Sequence, residues 1–406
     1  MSRIRPRATA LAFLAFLSGC YGSNTESSDR EPLGGPVSGL TAAERAAFER
    51  GKLVFQRRFA PEDGLGPRYN ATSCESCHSV PTTGGSAQLY RNFFLGMTGA
   101  PGHQTPLPGL ASAVVPAFGA GSEFSTQRGR TSLAPLAGTI YTLAQRNSLP
   151  LFGVGLFEFV SDATILARAD PNDEDGDGIS GRFNTDNGSV GRFGVKAQSN
   201  NVELFTRAPL MNQLGITSDP FLGSGGVVSL GPPQVSSSPD TPTSDTDPHA
   251  DPELRARDLG DLIAFTRFLA PPQALALDTQ ARRGRTLFGE LGCAKCHVPE
   301  LPTSRFGTIR PYTDLLLHDL GAELADGLAF GVPQAAALAP PTAAGEFRTQ
   351  PLWGVSLSGP FLHDGRAETL RDAILLHGGE AQAGTKRFLA RTSDEQADLI
   401  VFLEHL

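Results

Sequence analysis

Sulfur and tryptophan are scarce in this chain: 406 residues hold three methionines, five cysteines and one tryptophan, Trp353. The methionines are Met1, Met97 and Met211, so residues 212–406 have no thioether to offer a metal. Positive charge is also in short supply. Thirty-four Lys and Arg face 42 Asp and Glu, for a net charge of -8 and a pI near 5.5. That balance excludes the basic footprint of a nucleic-acid binder. It keeps the chain soluble and mildly favours a cationic partner through steering. The apolar run from Ala8 to Leu17 falls short of the roughly 20 residues that a membrane-crossing helix needs.

What is present is a motif, twice. Cys74-Glu75-Ser76-Cys77-His78 and Cys293-Ala294-Lys295-Cys296-His297 both read CxxCH, the attachment pattern of a covalent c-type haem. Cysteines at this spacing form thioether bonds to the two vinyl groups of one haem, and the next imidazole reaches the iron from the proximal side. A zinc site would need further nearby cysteines, and neither motif has them. Two covalently bound haem c groups are therefore expected, on Cys74 and Cys77 with His78, and on Cys293 and Cys296 with His297.

The fifth cysteine belongs to a different signal. Arg3, Arg5 and Arg7 precede the apolar stretch, which ends in Leu17-Ser18-Gly19-Cys20. This resembles a bacterial lipoprotein signal with its lipobox. Residues 1–19 are expected to be removed, Cys20 lipidated, and residues 20–39 to form a flexible tether. Tyr21 after the cysteine favours the outer membrane, so the chain is expected on its periplasmic side, anchored by lipid only. An ordinary secretory peptide would leave it soluble in the periplasm.

Gly 46 and Pro 31 make the chain loop-rich. Helix signals stand out against that background. Thr41 to Glu44 is a capping box leading into apolar positions at helical spacing through Phe48 and Phe55. Asp258 to Ala270 reads as a strong helix stopped by Pro271-Pro272. Thr392 to Glu395 opens a last helix that runs to Leu406. An internal repeat links them: Arg50-Gly51 to Phe55 precedes the first CxxCH, and Arg283-Gly284 to Phe288 precedes the second. Asp261 to Leu269 and Asp398 to Leu406 are matching closing helices. The expected fold is mainly α, with two tandem cytochrome c-like domains, 40–272 and 273–406, joined by long loops. The first carries a large insertion, including the low-complexity stretch Ser236 to Asp251.

Several stretches then resemble one family. They are Gly64 to Gly85 around the first motif, Leu151 to Glu158, Asp175 to Arg182, Leu315 to Gly321, and Phe361-Leu362-His363-Asp364-Gly365-Arg366-Ala367. Together they resemble the bacterial dihaem oxidoreductases, a family similar to dihaem cytochrome c peroxidases. The resemblance implies a division of labour between the haems, one relaying electrons and the other meeting hydrogen peroxide or another small oxidant. It also implies a periplasmic electron donor, a small cytochrome or cupredoxin. Two other readings stay open: an electron-transfer cytochrome without a substrate site, and an enzyme oxidising a protein or organic substrate through high-valent haem iron.

Candidate site residues follow. Glu346 stands where dihaem peroxidases carry a Met before the Phe of a similar stretch, which turns attention to His318, His363, His377 and Tyr312 as sixth ligands of the second haem. For the first haem, His103, Met97 and Met211 are available, or the site is open to substrate. Glu158, in an otherwise apolar segment, is the candidate acid-base group for peroxide cleavage, with Gln145 and Arg146 lending hydrogen bonds. Trp353 is a candidate electron relay. Asp173, Asp175 and Asp177 match the first half of an EF-hand loop and suggest calcium, although Asn184 replaces the expected bidentate Glu.

Overall fold

The computed structural model describes residues 33–100, 104–110, 112–119, 124–127, 130–133, 141–186, 188–218, 245, 247–329 and 342–406. Cys20, His103 and most of Ser236 to Asp251 lie outside the described residues. Among those described, no helix is long and apolar enough to cross a membrane.

Helix α1 (Ala42–Gln56) starts where the capping box predicts. Thr41 Oγ1 accepts from the Glu44 amide at 3.2 Å, and the Glu44 carboxylate accepts from the Thr41 amide at 2.9 Å. After a five-residue helix, Asp162–Leu166, the helices that follow in chain order are α2 (Val202–Pro209), α3 (Ala256–Phe268), α4 (Thr279–Glu290), α5 (Leu370–Leu375), α6 (Gln382–Leu389) and α7 (Ser393–Glu404). Every residue of α3 from Leu259 to Phe268 is buried, so this helix runs through the body rather than along its surface. The second capping box is also formed, with Thr392 Oγ1 accepting from the Glu395 amide at 3.3 Å.

The internal repeat acquires a physical meaning in two helix crossings. Where α1 crosses α3, a Cβ on Gly51 would stand 1.8 Å from the Asp261 carbonyl oxygen, so only glycine lets the backbones approach this closely. Arg50 donates to both oxygens of the Asp261 side chain at 2.7 and 2.6 Å. The same device joins α4 to α7: a Cβ on Gly284 would lie 1.9 Å from the Asp398 carbonyl, and Arg283 holds the Asp398 carboxylate at 2.6 and 2.8 Å. Phenylalanines fill each crossing. Phe55 meets Phe265 with ring centroids 4.8 Å apart, and Phe288 meets Phe402 at 5.4 Å.

Residues 32–406 nevertheless form one compact unit. The larger core gathers around α1 and α3, and Leu301, Leu315, Leu316 and Trp353, from the second half of the chain, close it. The smaller core gathers around α4 and α7, with Leu287, Phe288, Phe388, Leu399 and Phe402. The stretch expected as tether is partly docked. Pro36 bridges Leu269 and the Val37 amide donates to the Phe268 carbonyl at 2.8 Å, because the extended end of α3 leaves backbone groups to pair.

Helices supply the frame, but short antiparallel strands occur as well. Strand β1 (Phe93–Thr98) pairs with β2 (Tyr141–Arg146), from Phe93 opposite Arg146 to Thr98 opposite Tyr141. Strand β3 (Leu317–Asp319) pairs with β4 (Glu346–Arg348), placing His318 opposite Phe347.

Candidate haem sites

The first motif is held to the end of α1, the Glu75 amide donating to the Phe55 carbonyl at 3.2 Å. Its backbone turns tightly, with the Cys77 amide donating to the Cys74 carbonyl at 3.1 Å and the His78 amide to that of Glu75 at 3.2 Å. His78 Nδ1 lies 3.0 Å from the Gly85 carbonyl. A carbonyl only accepts, so Nδ1 carries a proton, and the Leu149 carbonyl also lies within hydrogen-bond reach of the ring. Burial lowers the His78 pKa and favours this neutral ring. Burial also pushes the Cys74 thiol up to about 12, which makes it a poor redox nucleophile.

The second motif repeats this arrangement. The His297 amide donates to the Cys293 carbonyl at 2.9 Å, and His297 Nδ1 sits 3.0 Å from the Tyr312 carbonyl. Burial, with His377 nearby, brings the His297 pKa down to about 4. Even the supporting aromatic ring repeats. Phe55 packs on His78 at 6.1 Å and 53°, Phe288 on His297 at 6.5 Å and 55°.

The candidate sixth ligands fare differently. His318 has both ring nitrogens engaged, Nε2 with Asp314 and Nδ1 with Glu380, each at 2.8 Å. Its burial opposes charge, yet hydrogen bonds to Asp314, Cys296 and Glu380 raise its pKa well above the usual value. Both ring nitrogens of His318 are thus taken up by carboxylates. Against its own burial, Glu380 is held down to about 2 by hydrogen bonds from His318, Ser180 and the Asp319 amide. Tyr312 packs its ring edge-on against Phe288 and Phe402, and its carbonyl serves the proximal imidazole. His363 stacks on Phe347 at 4.1 Å and 15°, with Lys196 Nζ 3.8 Å from that same ring. Burial brings His363 to about 4. His377 lies closest to a proximal ring, its centroid 6.4 Å from that of His297 and its plane tilted by 52°. Its Nδ1 is 2.6 Å from the Ala373 carbonyl in α5. Met97 packs in the strand core with Leu95, Ala144 and Leu328, and Met211 lies in the Leu210–Leu214 turn that follows α2.

The expected acid-base group is also occupied. Glu158 forms a buried ion pair with Arg267 of α3 at 2.5 Å and accepts from the Val202 amide at the start of α2 at 3.2 Å. Gln145 and Arg146 are drawn elsewhere: Gln145 Nε2 donates to the Asp364 carbonyl at 2.9 Å, and Arg146 pairs with Asp326. They brace the His363-Asp364 loop instead of joining Glu158. Trp353 stacks on Phe157 at 5.5 Å and 10°. In the acidic loop the carboxylates that converge are Asp170, Asp173 and Asp175, whereas Asp177 is taken by Lys295 at 2.7 Å. Sequence reading missed Asp170, and its place just before the loop was the available signal. Lys295, between the two cysteines of the second motif, ties that motif to this loop.

The residues present fit haem. Two imidazoles stand each beside a pair of cysteines and are oriented through Nδ1 by a backbone carbonyl. Buried donors and a weakly compensated buried cation accompany them. Arg267 Nη1 and Trp353 Nε1 have no partner, and the buried Arg348 spends its hydrogen bonds on carbonyls and Gln350, with no carboxylate. Burial lowers the Arg348 pKa to about 10, which marks how poorly its charge is compensated.

Comparisons with known proteins agree. Residues 114–406 match the family described as "Di-haem oxidoreductase, putative peroxidase". The methylamine utilization protein MauG of Methylorubrum extorquens is 33% identical over 141 residues, covering 32% of this chain and 35% of the relative. The chain thus spans about a third of the length of the curated relative it matches. Among solved structures, hydrazine synthase of Kuenenia stuttgartiensis is similar with a TM-score of 0.42, at 15% identity over 99% of this chain and 100% of that one. A MauG-like protein associated with microbial copper homeostasis has a TM-score of 0.40, at 17% identity over 93% of each chain. A variant of the diheme peroxidase BthA of Burkholderia thailandensis has a TM-score of 0.40, at 18% identity over 88% of this chain and 85% of that one. The match over residues 114–406, together with the motif it contains, shows that this chain belongs to the di-haem oxidoreductase family.

Proposed function

We propose that the protein is a periplasm-facing oxidoreductase that reduces hydrogen peroxide with electrons from a periplasmic donor. One observation supports this reading: two alike histidine-presenting frames, of which only that of His297 has a second imidazole beside it among the described residues. Cys74 and Cys77 would hold one haem and Cys293 and Cys296 the other, with His78 and His297 toward the iron. When bound, the haems supply one-electron chemistry and a site for the oxidant. The chain's own part is to fix and shield them. Backbone carbonyls orient the two proximal rings. The parallel Phe157 and Trp353 rings offer a packed aromatic route within the core. Glu158 acts as a positioning residue, setting Arg267 and the start of α2, rather than as the proton carrier expected from sequence. The two crossings would be the frames of two cytochrome c-like domains, the first enlarged by an insertion. Cys20 would carry the lipid anchor, and Asp170, Asp173 and Asp175 would be the carboxylates for calcium.

Purified holoprotein should contain two haems per chain by pyridine haemochrome assay and should consume peroxide with a reduced small cytochrome or cupredoxin. Two haems without peroxide turnover, but with oxidation of a protein or organic substrate, would move the reading to a substrate-oxidising enzyme.

A further inference from the structure

We infer that His377 and His297 are the two axial ligands of the second haem, which is therefore closed by a pair of imidazoles. The inference rests on the reading that Cys293 and Cys296 carry a haem. Metal–imidazole bonds of about 2.0 Å, with about 1.1 Å more from each nitrogen to its ring centre, put two opposed ligand rings roughly 6.2–6.4 Å apart. The observed separation is 6.4 Å. Both residues are half-buried, and both rings are pinned through Nδ1 to a backbone carbonyl, of Tyr312 for His297 and of Ala373 for His377. That fixes the Nδ1–H form in each and leaves Nε2, which makes no hydrogen bond on either ring, as the free lone pair. A core histidine needs no such arrangement.

His377 is also held in place. It follows α5 directly, and the Thr385 hydroxyl, in α6, donates to the His377 carbonyl at 2.7 Å and to that of Ile374 at 3.1 Å. The rival ligands are engaged otherwise, His318 with Asp314 and Glu380, His363 with Phe347. Two imidazoles in place of imidazole and thioether give a haem of lower potential and leave it no coordination site for an oxidant.

Ferric holoprotein should show, by electron paramagnetic resonance and near-infrared magnetic circular dichroism, one low-spin haem with two nitrogen axial ligands. In His377→Ala that signal should become high-spin, the reduced protein should bind one more equivalent of carbon monoxide, and added imidazole should restore the low-spin form. His377→Met, closer in volume, should replace the signature with a methionine–iron charge-transfer band and raise the midpoint potential. If both variants keep the wild-type low-spin signal at unchanged haem content, the assignment is wrong. Should the alanine variant fail to fold, the methionine variant decides by its band and potential. Haem stoichiometry by haemochrome is independent of His377, so loss of the attachment reading is distinguishable, and peroxide turnover enters none of these readouts.

Discussion

The two halves of the molecule present a histidine in the same way and differ in the rings described beside it. Arg50, Gly51 and Phe55 meet Asp261 and Phe265 as Arg283, Gly284 and Phe288 meet Asp398 and Phe402. The tilt between phenylalanine and histidine rings differs by two degrees, 53° against 55°. Beyond the histidine the likeness stops. His297 faces a second imidazole, while the described ring beside His78 is Phe55 alone. The frame that presents an imidazole to a metal is thus one device used twice, and the chemistry diverges in what the rest of the chain brings to the other face.

The largest expected effect lies where the comparison has no counterpart. Glu158→Gln removes the carboxylate from a buried pair and leaves Arg267 uncompensated, which should cost about 3–5 kcal/mol of unfolding free energy by denaturant titration. Haem spectra of the folded fraction should not change. A loss below 1 kcal/mol would deny the pair its place in the frame. Next come the glycines. Gly51→Ala and Gly284→Ala each force a methyl into a backbone carbonyl and should each destabilise by about 1–3 kcal/mol. If only one of the two is sensitive, the crossings are not equivalent. The smallest effect concerns Glu44, which Arg305 holds down to about 2 from a usual value near 4.5. A carboxyl with a depressed folded pKa contributes stability that is complete above pH 4.5 and is lost as pH falls toward 2. Arg305→Ala should shrink that acid-dependent part of the stability curve. An unchanged curve below pH 4.5 would show the contact to be idle.

Much of the frame was legible because its signals are local. Capping boxes state where α1 and α7 start, and the Arg-Gly repeat marks both crossings before any partner is known. The partners were harder to read. Leu315 and Trp353 close a core that begins with α1, and no periodicity announces a contact across that much chain. Glu158 stood out as an acid among phenylalanines, but Arg267, which decides its role, sits on another helix. Strands β1 and β2 escaped notice because Phe93–Thr98 lacks clean alternation of apolar and polar residues. The choice among His318, His363 and His377 depended on what holds the nitrogens of His318 and His377 and on which ring lies beside His297, a property of assembled space that spacing along the chain does not carry.

The central claim, like proximal sides with unlike distal sides, is tested most directly by carbon monoxide titration of the fully reduced holoprotein. One equivalent per two haems is the predicted result, taken up at the haem on Cys74 and Cys77. Two equivalents, or none, would contradict it, since the distal sides would then be alike.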